Sequence, residues 1–509
     1  MNLSPGASLA LALSPLLVVG LGALLLMLVE AFSTTPARDV SGNHGTGGLA
    51  LGATTVLFAG GAFAGTVWMV GVENVGDVSA VAPWLVLDRF TLFFDMTLCL
   101  GGALAALLAG GYLHEHRIDR GEFYALILFA TFGAMMLAAA GDALTLFLGL
   151  ETMSIGAYAM TAFRRASARS AEGALKYFLL GSFAAALLIY GFALIYGATG
   201  HMDLAGIGAA ARTPAGKSPL FIVGAVLVLV GIVFKVSAVP FHAWAPDAYE
   251  GAPTPATAFM AVAVKAGAFA MLLRVLLLSL GDSGWTSWAT GWPPVVATLA
   301  LLTMTVANVI AGRQESVKRM LAYSSIAHAG YILVGVTAIM QNPQESVASV
   351  LFYLLAYTAS TAGAFGALIL CGSYEREAVS YEDLAGIGKR NPGAALAFAL
   401  FLLSLAGIPP TAGFFGKWFV FKAAIESGLY WLAVLGFINS VVGAYYYLRV
   451  LVYMYMREPA AGAQVAVPMR SGYVTAALIV SAILVLVLGL APTSYLDLAI
   501  DAAKFATNG

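Results

Sequence analysis

Ionisable side chains inside long apolar runs are the residues of this sequence that could do chemistry. Glu151, Lys235, Lys265 and Lys417 each interrupt such a run. A charge in the hydrocarbon layer of a membrane costs at least about 2.5 kcal/mol, so its presence there points to function. Burial favours neutral lysine and a neighbouring carboxylate favours charged lysine, which suits lysine to proton exchange. The four residues predict a proton relay in which Glu151 pairs with Lys235, and a static ion pair between helices is the alternative.

Other basic residues in or near these runs are weaker candidates for the relay. His328 lies in the middle of a run and His242 follows a proline, and either could pass protons near neutral pH or be a hydrogen-bonded core histidine. Lys176 lies two residues into its run, so it is a candidate either for the relay or for anchoring at the cytoplasmic edge. Basic residues near the ends of runs are expected to anchor the helices: Arg274, Lys422 and Arg449.

Prolines within the seventh and twelfth apolar runs predict that transmembrane helices 7 and 12 are interrupted beside these lysines. Pro240 follows Lys235 by five residues, and Pro409 and Pro410 precede Lys417. Proline lacks an N–H group and clashes with the preceding turn, so it breaks the helical ladder. Freed backbone groups inside a membrane need protein or water partners, so each break predicts a hydrated pocket, with a simple kink as the alternative.

The elements that carry these residues are apolar runs of about 20 residues, long enough to cross a membrane as helices. The sequence is 61% hydrophobic and 10% charged, whereas soluble domains carry about 25% charged residues. We predict an all-α integral membrane protein with about fourteen transmembrane helices. Similar motifs recur at a nearly constant offset and predict two inverted five-helix repeats. The predicted divisions are a three-span segment at 1–122, repeats at 123–278 and 293–456, and a final span at 470–490.

Charge and cysteine content narrow the classes of partner and cofactor. The formal net charge is −1, and no basic face for nucleic acid is visible, so the membrane is the only partner that composition predicts. Cys99 and Cys371 are isolated, so no zinc site, iron–sulfur cluster or c-type haem is expected in this chain. Short loops rich in lysine and arginine alternate with loops that are poor in them, which predicts both termini on the non-cytoplasmic side. The first run lacks a positive n-region and is expected to be a retained span.

Four motifs resemble the antiporter-like membrane subunits of bacterial respiratory complex I, the proton-translocating NADH-quinone oxidoreductase, and among them the N-type subunits. They lie at 174–181, 235–247, 318–331 and 407–417. The resemblance implies that Glu151 and Lys235 are the acid–lysine pair of the family. It also implies that Lys265 is the central lysine and that Lys417 is the terminal lysine, where M-type subunits carry glutamate.

The resemblance further implies how this chain would take part in the reaction. NADH, FMN, iron–sulfur clusters and quinone would be bound by partner subunits, with no cofactor in this chain. The partners would be the other membrane-arm subunits, including the other antiporter-like ones, in the bacterial inner membrane. Two alternatives stay open: a subunit of a multi-subunit sodium/proton antiporter, and a membrane scaffold that conducts nothing.

Overall fold

Helices make up almost all of the described chain. The computed structural model describes residues 5–32, 47–71, 79–372, 376–459 and 465–507. Parts of the predicted segment 1–122 therefore lie outside the described residues. The helices up to the middle of the chain are α1 (Pro5–Ala12), α2 (Ser14–Phe32), α3 (Gly47–Val70), α4 (Arg89–Glu115), α5 (Glu122–Ala139), α6 (Ala143–Thr161), α7 (Ala168–Thr199), α8 (Leu204–Ala211), α9 (Pro219–Lys235), α10 (Trp244–Gly251), α11 (Thr254–Phe259) and α12 (Lys265–Arg274).

The second half of the chain is equally helical. Its helices are α13 (Pro293–Ala311), α14 (Val317–Ala338), α15 (Pro343–Cys371), α16 (Ile387–Arg390), α17 (Pro392–Ala406), α18 (Ala412–Glu426), α19 (Tyr430–Met456), α20 (Gly472–Leu490) and α21 (Pro492–Thr507). Short 3₁₀ turns lie at Ser79–Val81, Pro214–Lys217 and Glu382–Leu384.

Twelve helical segments within the described ranges are long and apolar enough to cross a membrane. Two shorter apolar helices, α9 and α17, lie where the sequence predicts spans seven and twelve. The predicted all-α membrane fold is confirmed. The total of fourteen spans and the inverted relation of the two repeats remain predictions.

The first interruption lies between α9 and α10 and contains Pro240. Ser237 adopts a left-handed backbone conformation there, with φ +62°. The N–H group of Val239 donates to the hydroxyl of Thr303, 2.9 Å away on α13. The Trp244 ring N–H donates to the Phe234 carbonyl at 3.1 Å. Backbone groups freed by the break thus find protein partners, which a membrane interior requires.

The second interruption lies between α17 and α18 and contains Pro409 and Pro410. Gly407 ends α17 with φ +87°, a conformation that glycine adopts without steric cost. The carbonyls of Leu405 and Ala406 accept hydrogen bonds from the Lys417 ammonium group at 3.0 and 2.9 Å. A lysine of α18 therefore satisfies the carbonyl end of α17.

Four helical segments form the centre of the molecule. α4, α14, α15 and the continuous helical segment Thr254–Ser279 are buried over about nine tenths of their apolar length, whereas α2 is largely exposed. The central segment consists of α11 and α12 separated by a π-helical stretch, Met260–Val264, and ends in a second one, Val275–Ser279. The first π-helical stretch immediately precedes Lys265, and such irregularities in a helix often mark functional sites.

Arg274 differs from its expected anchoring role. Its side chain is 1% exposed and its guanidinium donates to both oxygens of Asp88 at 2.8 and 2.7 Å. The position of Arg274 near the end of a span predicts that its side chain extends towards water. The anchoring prediction is wrong, because the carboxylate that caps α4 offers the guanidinium a buried partner.

Candidate proton-transfer site

Lys235 is the last residue of α9 and is buried, with 2% of its surface exposed. Its ammonium group donates to the Ser154 hydroxyl at 2.7 Å and to the Tyr158 hydroxyl at 3.0 Å. The ammonium nitrogen also lies 5.1 Å from the centre of the Tyr158 ring and 5.6 Å from that of Tyr177. The Phe234 ring lies 5.9 Å away, so two hydroxyl groups and three aromatic rings surround the charge.

Glu151 lies on α6 in the same region but does not form an ion pair with Lys235 within 4 Å. Ser154 and Tyr158, at i+3 and i+7 from Glu151, share its face of the helix and contact the lysine instead. The Oε1 atom of Glu151 is buried without a hydrogen-bond partner. The two predicted partners therefore lie in the same region without a contact ion pair, and the Ser154 hydroxyl donates to the Leu150 carbonyl rather than to Glu151.

Lys265 lies at the centre of the molecule, 2% exposed. Its ammonium group donates to both the carbonyl and the hydroxyl of Ser325 on α14, and it lies 5.7 Å from the centre of the Tyr357 ring. Within the described chain, no carboxylate lies within ion-pair distance of this ammonium group. Its neighbours are therefore neutral dipoles.

His328 lies three residues beyond Ser325 on α14 and is buried. Its Nδ1 lies 2.7 Å from the Tyr353 hydroxyl, and its Nε2 lies 3.1 Å from the Tyr447 hydroxyl. Tyr447 in turn shares a hydrogen bond with Ser324. A cavity of about 10 Å³ borders His328 and Tyr353, and this is about the space that one water needs. The imidazole thus bridges two hydroxyls from different helices.

Lys417 is buried beside the second helix break. It donates to the Ser440 hydroxyl at 2.8 Å, in addition to the two carbonyls at the end of α17. Its nitrogen lies 5.0 Å from the centre of the Tyr331 ring. Tyr331 follows His328 by three residues, so Ser325, His328 and Tyr331 lie one turn apart along one face of α14. This row leads from Lys265 to Lys417.

The two weaker candidates lie apart from this row. Lys176 forms ion pairs at 2.7 Å with Glu172 and with Asp247, and its side chain is 43% exposed. His242 lies in the first interruption, and its Nδ1 is buried without a hydrogen-bond partner. Lys176 therefore occupies an edge network, whereas His242 has a free ring nitrogen beside the break.

A second buried polar cluster joins residues from both halves of the chain, and no sequence pattern predicts it. The Glu377 carboxylate accepts hydrogen bonds from Tyr112 and Thr254, and it pairs with Arg164 and Lys318 at 3.2 Å each. Burial raises the pKa of Glu377, but the two cations and the hydroxyl donors outweigh burial and lower it to about 2. The carboxylate therefore stays charged.

Sequence reasoning missed the hydroxyl partners of the lysines. The i+3 and i+7 spacing from Glu151 could have identified Ser154 and Tyr158. Tyr447 and Ser440 come from α19, more than 100 and about 20 residues from the groups they contact, and no local pattern signals them. Among the described residues, no three His, Cys, Asp or Glu side chains group to hold a metal ion.

The fold and these buried lysines define a class of polytopic membrane protein. A sequence profile described as "NADH:quinone oxidoreductase/Mrp antiporter, TM" matches residues 140–443. This range includes every candidate site residue from Glu151 to Lys417. More than half of the chain falls within this profile.

Similar sequences show to which family within this class the chain belongs. The chain is 68% identical to "NADH-quinone oxidoreductase subunit N 1" of Sorangium cellulosum, over 97% of this chain and 98% of the relative. It is 41% identical to subunit N of Myxococcus xanthus over 97% of both chains. The chain belongs to the subunit N family of NADH-quinone oxidoreductases.

Solved structures agree on the fold. A chain of respiratory complex I from Thermus thermophilus with bound aureothin superposes with a TM-score of 0.77 at 34% identity, covering 95% of this chain and 98% of that one. A chain of the Mrp complex from Dietzia sp. DQ12-45-1b has a TM-score of 0.83 at 23% identity, covering 98% of each. The fold is therefore common to both kinds of complex, and sequence identity distinguishes them.

Proposed function

We propose that this chain transfers protons within the membrane arm of an NADH-quinone oxidoreductase, through the row Glu151, Lys235, Lys265, His328 and Lys417. The observation that carries the proposal is the series of exchangeable groups between Lys265 and Lys417, in which Ser325, His328 and Tyr331 lie one turn apart along one face of α14. Lys265 contacts Ser325, and His328 bridges Tyr353 and Tyr447. The hydroxyls and the imidazole both donate and accept, so a proton could pass along them, with water completing the connection to Lys417.

The groups between Lys235 and Lys265 differ from those between Lys265 and Lys417. Aromatic side chains fill the region beside Lys235, and Tyr177 stacks on Trp244 with ring centres 4.1 Å apart. Trp244 contacts Tyr249 edge to face at 6.2 Å. A proton passing from Lys235 to Lys265 would use Tyr158 and transient water, so we propose that this step limits the rate. We propose that protons also enter the relay at His242, beside the first helix break, and at Lys176, at the edge of its span.

The helix breaks would give the lysines freedom to respond. Lys235 ends α9 just before Pro240, and Lys417 holds the carbonyls exposed before Pro409 and Pro410. Movement of charge at Glu151 would alter the proton affinity of Lys235 through space. We propose that the two breaks belong to two repeats, 123–278 and 293–456, flanked by 1–122 and 470–490.

The proposed setting is the inner membrane of a bacterium, with both termini on the non-cytoplasmic side. The relatives named above are subunits of NADH-quinone oxidoreductases, so the proposed partners are the other membrane-arm subunits, including antiporter-like ones. Electron transfer from NADH through FMN and iron–sulfur clusters to quinone would occur in those partners, and it would supply the energy for proton transfer here.

The test uses inside-out vesicles that carry the assembled complex. Lys235→Met removes the charge and nearly preserves side-chain length, and Lys422→Met is the matched control because Lys422 is half exposed and pairs with Glu426 at the surface. We expect NADH-driven proton uptake and quinone reduction to fall together, by about tenfold, in Lys235→Met and to stay at the parental level in Lys422→Met. Equal rates in both variants, with normal assembly, would exclude the relay.

The antiporter alternative makes a different prediction in the same vesicles. The Mrp fold similarity is compatible with it. Sodium-dependent proton movement in parent vesicles without any response to NADH would favour that alternative.

A further inference from the structure

A cleft lies between α17 and α20, at the end of the molecule where both helices begin. Its volume is about 810 Å³, within the range of about 300–1,000 Å³ that ligand-binding clefts have. Leu370, at the end of α15, lies in its wall, and the Leu370 carbonyl accepts hydrogen bonds from the Met469 N–H at 3.2 Å and from the Asn391 amide at 3.4 Å. The residues that line the cleft are all different from those of the proposed proton row.

Two arginines line the cleft beside the first turns of its helices. Arg470 is exposed. The Arg390 guanidinium donates to backbone carbonyls, among them that of Ala466, so neutral groups hold its charge in place. Among the described residues, no carboxylate lies within 4 Å of either guanidinium, and the carboxylate of Asp383 pairs with Arg376 instead. This end of the cleft therefore carries two positive charges that no acidic side chain balances.

Open space lies beside the two arginines. Gly393 and Gly472 line the cleft, and a Cβ atom built on either glycine would meet no other atom within 4 Å. Both glycines lie in the first turn of a helix, where N–H groups have no acceptor within the helix. Arginine pairs well with phosphate, and such N–H groups add donors for the same anion. The charged end of the cleft thus has both the charge and the room for a phosphate group.

The deeper part of the cleft is apolar and follows the two helices into the membrane. Ala394 and Ala397 line it on α17, and Ile479 and Ala482 line it on α20. Ile479 is 55% exposed, so the groove is open along its side. At 1.5 Å per residue, Ala482 lies about 16 Å along α20 from Ser471, and half of the hydrocarbon layer is about 15 Å. The small side chains therefore leave a groove about as deep as one leaflet.

We propose that this cleft binds one phospholipid with an anionic head group, with its phosphate at Arg390 and Arg470 and one acyl chain along α17 and α20. Basic pockets between transmembrane helices on the cytoplasmic side are typical sites for such head groups, and the proposed orientation of the chain places both arginines on that side. An acidic protein segment or a free phosphate would match the charges but would leave the apolar groove unfilled. The inference is independent of the proton row and adds a lipid site to the chain.

The experiment labels the occupant of the cleft in the assembled complex. The complex is reconstituted in phosphatidylcholine vesicles that contain a small fraction of a probe lipid with a photoreactive diazirine on one acyl chain. The anionic probe is a phosphatidylglycerol, and the zwitterionic probe is a phosphatidylcholine with the same chain. After irradiation, labelled peptides are mapped by mass spectrometry. We expect the anionic probe to label α17 and α20 about fivefold more than the zwitterionic probe, since each arginine at a membrane surface strengthens the binding of anionic lipid by about that factor.

Two variants separate the charged end of the cleft from the apolar groove. Arg470→Gln removes one charge, and Ala397→Leu narrows the groove and keeps both arginines. The matched control is Arg457→Gln, at an exposed arginine that contacts Tyr453 at the end of α19. We expect labelling by the anionic probe to fall about fivefold in Arg470→Gln, to fall to the level of the zwitterionic probe in Ala397→Leu, and to equal the parent in Arg457→Gln. Parental labelling in Arg470→Gln or in Ala397→Leu would overturn the proposal, as would equal labelling of the parent by the two probes.

Two further outcomes would identify a different occupant. Inorganic phosphate, added at constant ionic strength, should leave labelling unchanged because the acyl chain holds the lipid in the groove. Loss of labelling on addition of phosphate would show that the cleft holds a free anion, and the lipid proposal would be wrong. Absence of label from α17 and α20 with both probes would show that a neighbouring subunit covers the cleft, which also overturns the proposal. NADH-driven proton uptake, measured in the same vesicles, tests the proton row separately.

Discussion

The ammonium nitrogen of Lys235 lies 2.7 Å from the hydroxyl oxygen of Ser154, one turn of α6 beyond Glu151. Tyr158 supplies a second hydroxyl at 3.0 Å. No contact ion pair joins Glu151 to Lys235, and the hydroxyls that contact the lysine lie on the same helix as the acid. This arrangement lets the charge of Glu151 act on Lys235 without locking the two into a contact ion pair, which would resist proton exchange.

Tyr158→Phe tests whether the hydroxyl groups that contact Lys235 take part in proton transfer. The change removes one of the two hydroxyl partners of a buried ammonium group and keeps the aromatic face. Loss of a partner to a buried charge costs about 1–3 kcal/mol, so we expect NADH-driven proton uptake to fall about tenfold or more. Tyr196→Phe, on the exposed face of α7, is the control and should match the parent. Parental uptake in Tyr158→Phe would show that Ser154 alone suffices.

His328 allows proton exchange to be separated from hydrogen bonding. Asparagine places its amide near the position of Nδ1, which faces Tyr353, and glutamine places it near that of Nε2, which faces Tyr447. Neither amide titrates near neutral pH. We expect His328→Asn and His328→Gln both to reduce proton uptake about tenfold, whereas His201→Gln, at a half-exposed site, should have no effect. Full uptake in either His328 variant would mean that the imidazole only bridges the tyrosines.

The architecture could be predicted from the sequence because membrane insertion depends on local properties. Apolar length fixes most spans, and proline chemistry fixes the interruptions that contain Pro240 and Pro409. The buried lysines were also evident, since a charge within an apolar run stands out without any knowledge of its neighbours.

The partners of those lysines could not be predicted, because they depend on how distant helices pack. Ser325 reaches Lys265 across 60 residues and Arg274 meets Asp88 across 186. Lys318 looks like one more basic loop residue in the sequence, yet it is buried against Glu377. Hydrophobic periodicity identifies the buried face of a helix, but it does not identify the residue of another helix that contacts this face.

Lys417 should contribute to stability as well as to transport. Lys417→Met leaves the carbonyls of Leu405 and Ala406 without their donor, and each unsatisfied buried group costs about 1–3 kcal/mol. We expect the thermal unfolding midpoint of the purified complex to fall, and Lys417→Arg, which keeps a donor, to lose less. Lys422→Met is the control at an exposed site. An unchanged midpoint with lost uptake would assign Lys417 to transport alone.

Glu377 should make stability depend on acid pH. Its pKa in the folded chain is about 2, below the ordinary value of 4.5, because Lys318, Arg164 and the hydroxyl donors outweigh the effect of burial. The stability that the charged Glu377 contributes is fully present above pH 4.5 and is lost as the pH falls through about 2. At about 1.4 kcal/mol for each unit of pKa, the contribution is about 3 kcal/mol.

The measurement is the thermal midpoint of the assembled complex as the pH is lowered from 4.5 towards 2. We expect Glu377→Gln to start lower than the parent and to approach it as the pH falls, because the parent loses the same interaction on protonation. Burial and the Arg164 charge lower the pKa of His116 from 6.5 to about 4 while the Glu377 charge raises it, so His116 destabilises Glu377→Gln more than the parent at the upper end of this range. Glu458→Gln, at an exposed pair with Lys389, should track the parent throughout. A constant gap between Glu377→Gln and the parent would show that Glu377 acts by shape and not by charge.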